Sequence, residues 1–124
     1  MIRLLVLDVD GTLTDGGIYY DSTGNELKKF GVKDGAGLVL ARTAGIRVMI
    51  CTGRQSEAVR RRAADLKITD VYQNVGQKAA FLQAFMAETA IPGHRPPTAA
   101  MTSTIWRLWR CAALWPARRT LPRR

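Results

Sequence analysis

The chain has 124 residues, with 19 Lys and Arg against 10 Asp and Glu and a formal net charge of +9. That length suits one small domain with a single modest core. Its sequence has no run of eighteen apolar residues and no signal-peptide pattern at its start, so we expect no membrane span and a cytoplasmic location.

The first predicted element is a strand over residues 2–7, where apolar residues dominate and indicate burial on both faces. It ends at Asp8 and Asp10, which strand periodicity sends to the same side, at the sheet edge where open α/β folds bind ligands. Two carboxylates so close need a cation or a shared proton. With a phosphate substrate, Mg²⁺ is the natural partner, because it binds carboxylate and phosphoryl oxygens. An ordinary acidic turn is the alternative.

A β-hairpin is predicted directly after this strand. Two short β-prone runs, residues 18–20 and 26–30, flank a loop that contains Gly. Tyr19, Tyr20 and Phe30 would give this hairpin apolar surface to bury, so it could cover the site or form a contact between subunits. A plain surface hairpin is the alternative.

A second buried strand, over residues 46–51, ends in Thr52-Gly53-Arg54. Before it, Asp34 is expected to cap a helix. The tripeptide brings a hydroxyl, a permissive backbone and a guanidinium to the sheet edge predicted for the two aspartates. These groups suit the binding of a phosphate.

The next segments alternate between helix and strand. They are a helix from Ser56 to Leu66, a strand over residues 68–72 and a helix from Gly76 to about Glu88. Lys78, in the first turn of the last helix, could reach the same edge, although a lysine there is usually only solvated. The order of elements predicts an α/β fold with a parallel sheet, but no fourth or fifth buried strand follows.

With Thr52 and Lys78 following the two aspartates in order, residues 1–92 resemble the small haloacid dehalogenase (HAD) phosphatases, and most closely the 3-deoxy-D-manno-octulosonate 8-phosphate (KDO 8-phosphate) phosphatases. The strings that carry the resemblance are DVDGTLTDGGIYYDSTGNELKKF, GVKDGAGL, ICTGR and VYQNVGQK. The resemblance implies a Rossmann-like HAD sheet without a large cap domain, and a homotetramer in which the hairpin builds the subunit contact. It also implies a small sugar-phosphate substrate and neither nucleic acid nor a membrane as partner.

The resemblance implies a role for each matching position. Asp8 would be the nucleophile that forms an aspartyl-phosphate, and Asp10 the acid and base. Thr52 and Gly53 would bind phosphate, and Lys78 would balance its charge. Asp8 and the backbone carbonyl of Asp10 would hold Mg²⁺. Further candidates for binding the sugar acid are Asp34, Gly35 and Arg54.

The resemblance stops before the family's motif IV, a GDDxND-like turn after a fourth strand that completes the magnesium site. No Asp or Glu follows Glu88, and residues 94–124 carry seven Arg and three Trp. The positive charge of the chain thus belongs mainly to this tail. We therefore expect the C-terminal strands of the fold to be missing, the first strand to be a sheet edge, and phosphatase activity to be weak or absent.

A frameshift near residues 93–97 would explain the tail. We read each codon's first two bases with the last base of the codon before, taking Ser as TCN and Arg as CGN. Residues 97–107 then admit the string YxGDDxNDLA at every position, with one fixed Asp from Met101-Thr102. The hypothesis is that residues 93–124 are out of frame and poorly ordered, and the nucleotide sequence of the gene decides it.

Other functions stay open at this point. Related small HAD proteins act on nonulosonate 9-phosphates or are accessory domains of acylneuraminate cytidylyltransferases, and the sequence barely separates these from the leading hypothesis. A basic binding module is a third possibility, because Arg and Trp alternate in the tail and could bind nucleic acid or an anionic membrane surface. Out-of-frame translation of GC-rich DNA gives the same composition without any selection for binding.

Overall fold

The computed structural model describes residues 2–89 and the backbone of residues 98–101. The strands are β1 (Ile2–Leu7), β2 (Tyr19–Tyr20), β3 (Glu26–Leu27), β4 (Arg47–Cys51), β5 (Asp70–Tyr72) and β6 (Thr98–Met101). The helices are α1 (Val32–Thr43), α2 (Glu57–Asp65) and α3 (Lys78–Thr89). Four strands form a parallel sheet in the order β5-β4-β1-β6, and β2 and β3 form an antiparallel hairpin. The predicted α/β parallel sheet with a hairpin after its first strand is confirmed, and the described residues contain no large cap.

Side chains of the two central strands alternate between the faces of the sheet, because successive residues of a strand point to opposite sides. Leu4 and Val6 of β1 pack with Leu82 and Phe85 of α3. Leu7 packs on the opposite face, against α1 and α2. The cluster on that face consists of Leu7, Val9, Leu13, Leu38, Val48, Ile50, Val59, Ala63 and Ile68. Helices therefore cover both faces, which explains why the sequence of β1 is almost continuously apolar.

β6 pairs with the edge of β1 for which the sequence predicts no partner strand. The pairing is parallel, with Leu4 beside Ala99 and Val6 beside Met101. The expectations that β1 is a sheet edge and that no fourth strand follows are therefore wrong. A parallel ladder needs only backbone N–H and C=O groups, and the edge of β1 offers a row of them. Pairing there thus requires no family motif.

Residues 90–97 and 102–124 lie outside the part of the chain that the structure describes. Two hypotheses fall mostly on these positions: the out-of-frame, poorly ordered tail and the basic binding module. A fifth strand would also lie there. All three stay hypotheses. Among the described helices, none combines the length and the apolar character needed to cross a membrane.

α1 begins earlier than the sequence predicts. Its first residue is Val32, its N-cap is Gly31 without a side-chain hydrogen bond, and Asp34 lies inside the first turn. The prediction that Asp34 caps this helix is therefore wrong, although a carboxylate in the first turn still interacts favourably with the helix dipole. The helix ends before Gly45, whose φ of +84° suits the residue that follows a helix C-terminus.

The hairpin is shorter than predicted, and Asp21 organises its loop. Tyr19 pairs with Leu27, and Tyr20 pairs with Glu26. The Asp21 carboxylate accepts four hydrogen bonds of 2.7–2.9 Å, which come from the backbone N–H and the side chains of the nearby Thr23 and Asn25. The side chains of Asn25 and Thr23 are the main reason that the pKa of Asp21 lies well below its usual value.

We expect this loop to lose its structure only at strongly acidic pH. A carboxyl whose pKa is lowered in the folded state stabilises that state above its ordinary pKa of about 4, and the contribution disappears as the pH falls through the lowered value. In ¹⁵N NMR spectra, the amide signals of Thr23 and Asn25 should thus move well below pH 4. The variant Asp21→Ala should shift them at neutral pH. A midpoint near pH 4 would contradict the assigned hydrogen bonds.

Candidate active site

Asp8 lies just beyond the end of β1 and is 6% exposed. Its Oδ1 accepts a hydrogen bond from the backbone N of Val9 and forms an ion pair with Nζ of Lys78, each at 2.8 Å. Lys78 is the first residue of α3, and its side chain is 11% exposed. α3 follows β5, so the sheet brings its N-terminus to the carboxyl edge of the strands. The structure thus joins two of the predicted site residues in one buried ion pair.

Thr52 follows β4 and lies at the same edge of the sheet, because Leu7 and Ile50 are level in the pairing of β1 with β4. It is 1% exposed. Its backbone N donates to the carbonyl of Tyr72 at 2.9 Å, and its carbonyl accepts from the backbone N of Val75 at 3.0 Å. These two bonds fasten the loop after β4 to the loop after β5. The hydroxyl of Thr52 is therefore carried on a fixed backbone.

Lys28, just after β3, was not identified from the sequence. Its Nζ lies 2.5 Å from Oδ1 of Asp10 and 2.6 Å from Oε1 of Glu26, and its side chain is 3% exposed. Burial lowers the pKa of this ammonium group, but the hydrogen bonds to Asp10 and Glu26 outweigh it and the net pKa is raised. A sequence signal existed, since Glu26 and Lys28 are two apart in a β-prone run and so share a face.

Arg54 connects the hairpin to the loop after β4. Its Nη2 lies 3.1 Å from Oε2 of Glu26. Hydrogen bonds to Tyr20 and Glu26 raise the pKa of Arg54. The pKa of Glu26 is lowered, mainly by its hydrogen bond to Lys28. Asp10 is therefore linked through two hairpin side chains to a guanidinium on a neighbouring loop.

The other predicted positions have different surroundings. Asp34 and Gly35 line a separate cavity of about 10 Å³ together with Phe30 and Arg62, which is room for about one water molecule. A Cβ atom on Gly35 would meet the guanidinium of Arg62, the far end of a flexible side chain that could move aside. A Cβ atom on Gly53 would make only an ordinary contact with the Val75 carbonyl. Packing thus gives no strict requirement for glycine at either position.

The charges that these contacts link are balanced. They comprise three carboxylates and three cations, namely Asp8, Asp10, Glu26, Lys28, Arg54 and Lys78. A phosphate monoester would add nearly two negative charges, and a divalent cation would restore neutrality. Mg²⁺ binds proteins through one or two carboxylates and completes its shell with other oxygens, so the Asp8 carboxylate and the backbone carbonyl of Asp10 fit it. The described residues place no group of three His, Cys, Asp or Glu side chains to hold a metal ion.

Sequence comparison finds relatives with one shared name. The 3-deoxy-D-manno-octulosonate 8-phosphate phosphatase of Escherichia coli K12 is 47% identical over 90 residues, which are 73% of this chain and 48% of that protein. The enzyme of the same name from Salmonella typhi is 46% identical over 90 residues, with the same coverage. The chain thus spans about half the length of the curated relatives it matches. No protein-family model matches the chain.

Solved structures show the same likeness. The phosphatase of Moraxella catarrhalis, in complex with magnesium, phosphate and KDO, superposes with a TM-score of 0.73 at 39% identity, covering 81% of this chain and 56% of that chain. The cobalt-bound phosphatase of Haemophilus influenzae gives a TM-score of 0.65 at 38% identity, covering 70% and 51%. By its sequence and its fold, the chain thus resembles the KDO 8-phosphate phosphatases of the haloacid dehalogenase superfamily, which confirms the resemblance predicted for residues 1–92.

Proposed function

We propose that this chain derives from an enzyme that hydrolyses KDO 8-phosphate to KDO and phosphate with the help of magnesium. The observation that carries the proposal is the buried pair of Asp8 and Lys78 at the carboxyl edge of a parallel sheet, level with Thr52. The names of the relatives support this substrate. The magnesium, phosphate and KDO in the Moraxella catarrhalis structure support both the metal and the product.

In the proposed mechanism Asp8 and Asp10 divide the chemistry. The Asp8 carboxylate attacks phosphorus, the bond to the sugar oxygen breaks, and Asp10, which must carry a proton when the substrate is bound, gives that proton to the departing alkoxide. Asp10 then takes a proton from water, which attacks phosphorus and releases phosphate. The Asp8 carboxylate is regenerated, so two displacements replace one difficult hydrolysis.

The remaining groups would stabilise negative charge on the phosphoryl group during its transfer. Lys78 brings a positive charge to the nucleophile, and the Thr52 hydroxyl and the backbone of Gly53 can donate hydrogen bonds to phosphate oxygens. Mg²⁺ bound at Asp8 and Asp10 would supply further positive charge to those oxygens. For the sugar acid, Arg54 is the best-placed candidate, because a guanidinium pairs well with a carboxylate. Asp34 and Gly35 line a separate cavity and are weaker candidates.

We propose that the activity of this chain is impaired. No Asp or Glu follows Glu88 in the sequence, so residues 89–124 supply no side-chain carboxylate for a motif IV. The Asp8 carboxylate and the backbone carbonyl of Asp10 would then hold Mg²⁺ less tightly and orient it less well than the family's full set. Nonulosonate 9-phosphates are the alternative substrates, and an accessory domain of an acylneuraminate cytidylyltransferase is the alternative context.

We also propose a homo-oligomer, a tetramer as in the family, with the hairpin at the subunit contact. Its support is the apolar surface that the hairpin exposes at Ile18, Tyr19, Tyr20 and Leu27. Multi-angle light scattering should give a mass several times that of one chain, and the variant Tyr20→Ser should lower it.

The test of the catalytic proposal is phosphate release from KDO 8-phosphate, a nonulosonate 9-phosphate and a simple phosphate ester. We expect magnesium-dependent release, greatest with KDO 8-phosphate, at no more than about 1% of the turnover of the Escherichia coli enzyme, since losing one stabilising group typically costs 10²–10³ in rate. Asp8→Asn should abolish it. Turnover equal to that of the relative would refute the impairment, and preference for the 9-phosphate would favour the alternative substrate.

A further inference from the structure

The contacts around Lys28 form a continuous series that we name the ion chain: Asp10, Lys28, Glu26 and Arg54. Its three links are 2.5, 2.6 and 3.1 Å long. They join three segments of the sequence, which are the loop after β1, the hairpin and the loop after β4. The ion chain therefore crosses the carboxyl edge of the sheet directly beside the proposed site.

We propose that Lys28 is a positioning residue that holds the Asp10 carboxylate and ties the hairpin across the active site; the catalytic part of this inference rests on the proposed function. A proton-transfer group must keep one orientation while the sugar alkoxide leaves and while water attacks. Asp10 lies in a turn after the strand, and its side chain is 34% exposed, so packing alone does not fix its carboxylate. The ammonium group of Lys28 can do so through a charge-assisted hydrogen bond.

The burial of Lys28 is the second argument. At 3% exposure its ammonium group has given up most of its hydration, which is costly unless hydrogen bonds replace it. Glu26 and Asp10 supply those bonds. Removing either carboxylate would leave the lysine poorly satisfied, so hairpin and catalytic loop hold one another in place. Lys29, the next residue, is exposed and provides a matched control.

Hydrogen–deuterium exchange on the full chain tests, independently of catalysis, whether Lys28 holds the hairpin to the loop after β1. We expect Lys28→Met to speed exchange in residues 18–30 by about 10-fold, and Lys29→Met to leave it unchanged. Asp10→Asn should have a similar effect, and the double variant of Lys28 and Asp10 should add little to either single one, because both remove the same link. Equal exchange in the Lys28 and Lys29 variants, or fully additive effects, would overturn the proposal.

Kinetics test the positioning role. Lys28→Met should lower kcat for magnesium-dependent phosphate release by at least about 10-fold while KM changes less than about 3-fold, since the proton-transfer group is misaligned and phosphate contacts are kept. Lys28→Arg should restore part of kcat, and Lys29→Met should change neither constant. An unchanged kcat would refute positioning while leaving the proposed function intact. Absence of turnover in the unaltered chain would instead count against the proposed function, and the exchange results would then decide whether the ion chain exists.

Discussion

Joining residues 1–90 of this chain to the C-terminal half of the Escherichia coli relative is expected to raise hydrolysis of KDO 8-phosphate by about 100-fold or more over the unaltered chain. The described residues bring no three His, Cys, Asp or Glu side chains together to hold a metal ion, and no Asp or Glu follows Glu88 in the sequence. The relative's second half would supply the motif IV that the family resemblance implies. A better-held Mg²⁺ neutralises charge on the transferring phosphoryl group, and such charge stabilisation supplies most of the catalysis in phosphoryl transfer.

The hybrid has a direct control, because Asp8→Asn in the same hybrid removes the nucleophile and should abolish turnover. Its measurement is phosphate release at several magnesium concentrations. The hybrid should reach half-maximal rate at a lower magnesium concentration than the unaltered chain. If both chains turn over equally, the first 90 residues need nothing from motif IV. If neither is active, these residues have lost the catalytic function itself.

The pair of Asp8 and Lys78 shows what could be predicted from the sequence. An apolar run followed by two aspartates locates the carboxyl end of a buried strand, and parallel strands end at one edge of a sheet. Thr52 follows the next strand of the sheet and Lys78 opens a later helix, so topology places both at the edge where Asp8 lies. No exact side-chain geometry was needed for that prediction.

The ion chain could not be predicted in the same way. The contact between Lys28 and Asp10 depends on how the hairpin folds back over the sheet, and a lysine in a β-prone run is usually solvated. The same limit explains the errors. β6 pairs through its backbone groups, and the side chains of Thr98–Met101 form no pattern from which this pairing could be predicted. Asp34 resembles a cap, but the observed N-cap of α1 lies three residues earlier, at Gly31 in its extended conformation.

Replacing Lys78 by Met is expected to lower the free energy of unfolding by about 4 kcal/mol, because it leaves the buried carboxylate of Asp8 without its cation. Asp8 would keep one hydrogen bond, from the backbone of Val9. The methionine fills the space of the lysine stem, so loss of charge pairing should dominate over loss of packing. Urea denaturation at neutral pH, followed by circular dichroism, measures the change, provided that the slope of the transition stays constant.

A double-mutant cycle distinguishes this ion pair from simple packing. Asp8→Asn alone should cost less than Lys78→Met, because the flexible lysine stem can turn its ammonium group toward solvent. Adding Asp8→Asn to the Lys78 variant removes the unpaired buried charge and should recover part of the free energy of unfolding, so the two changes are strongly non-additive. Lys33→Met, at an exposed position of α1, should stay within about 0.5 kcal/mol of the parent chain. Additive changes at Asp8 and Lys78 would mean that the two side chains do not act as a pair. The nucleophile would then lack the fixed, charged partner on which the proposed chemistry depends.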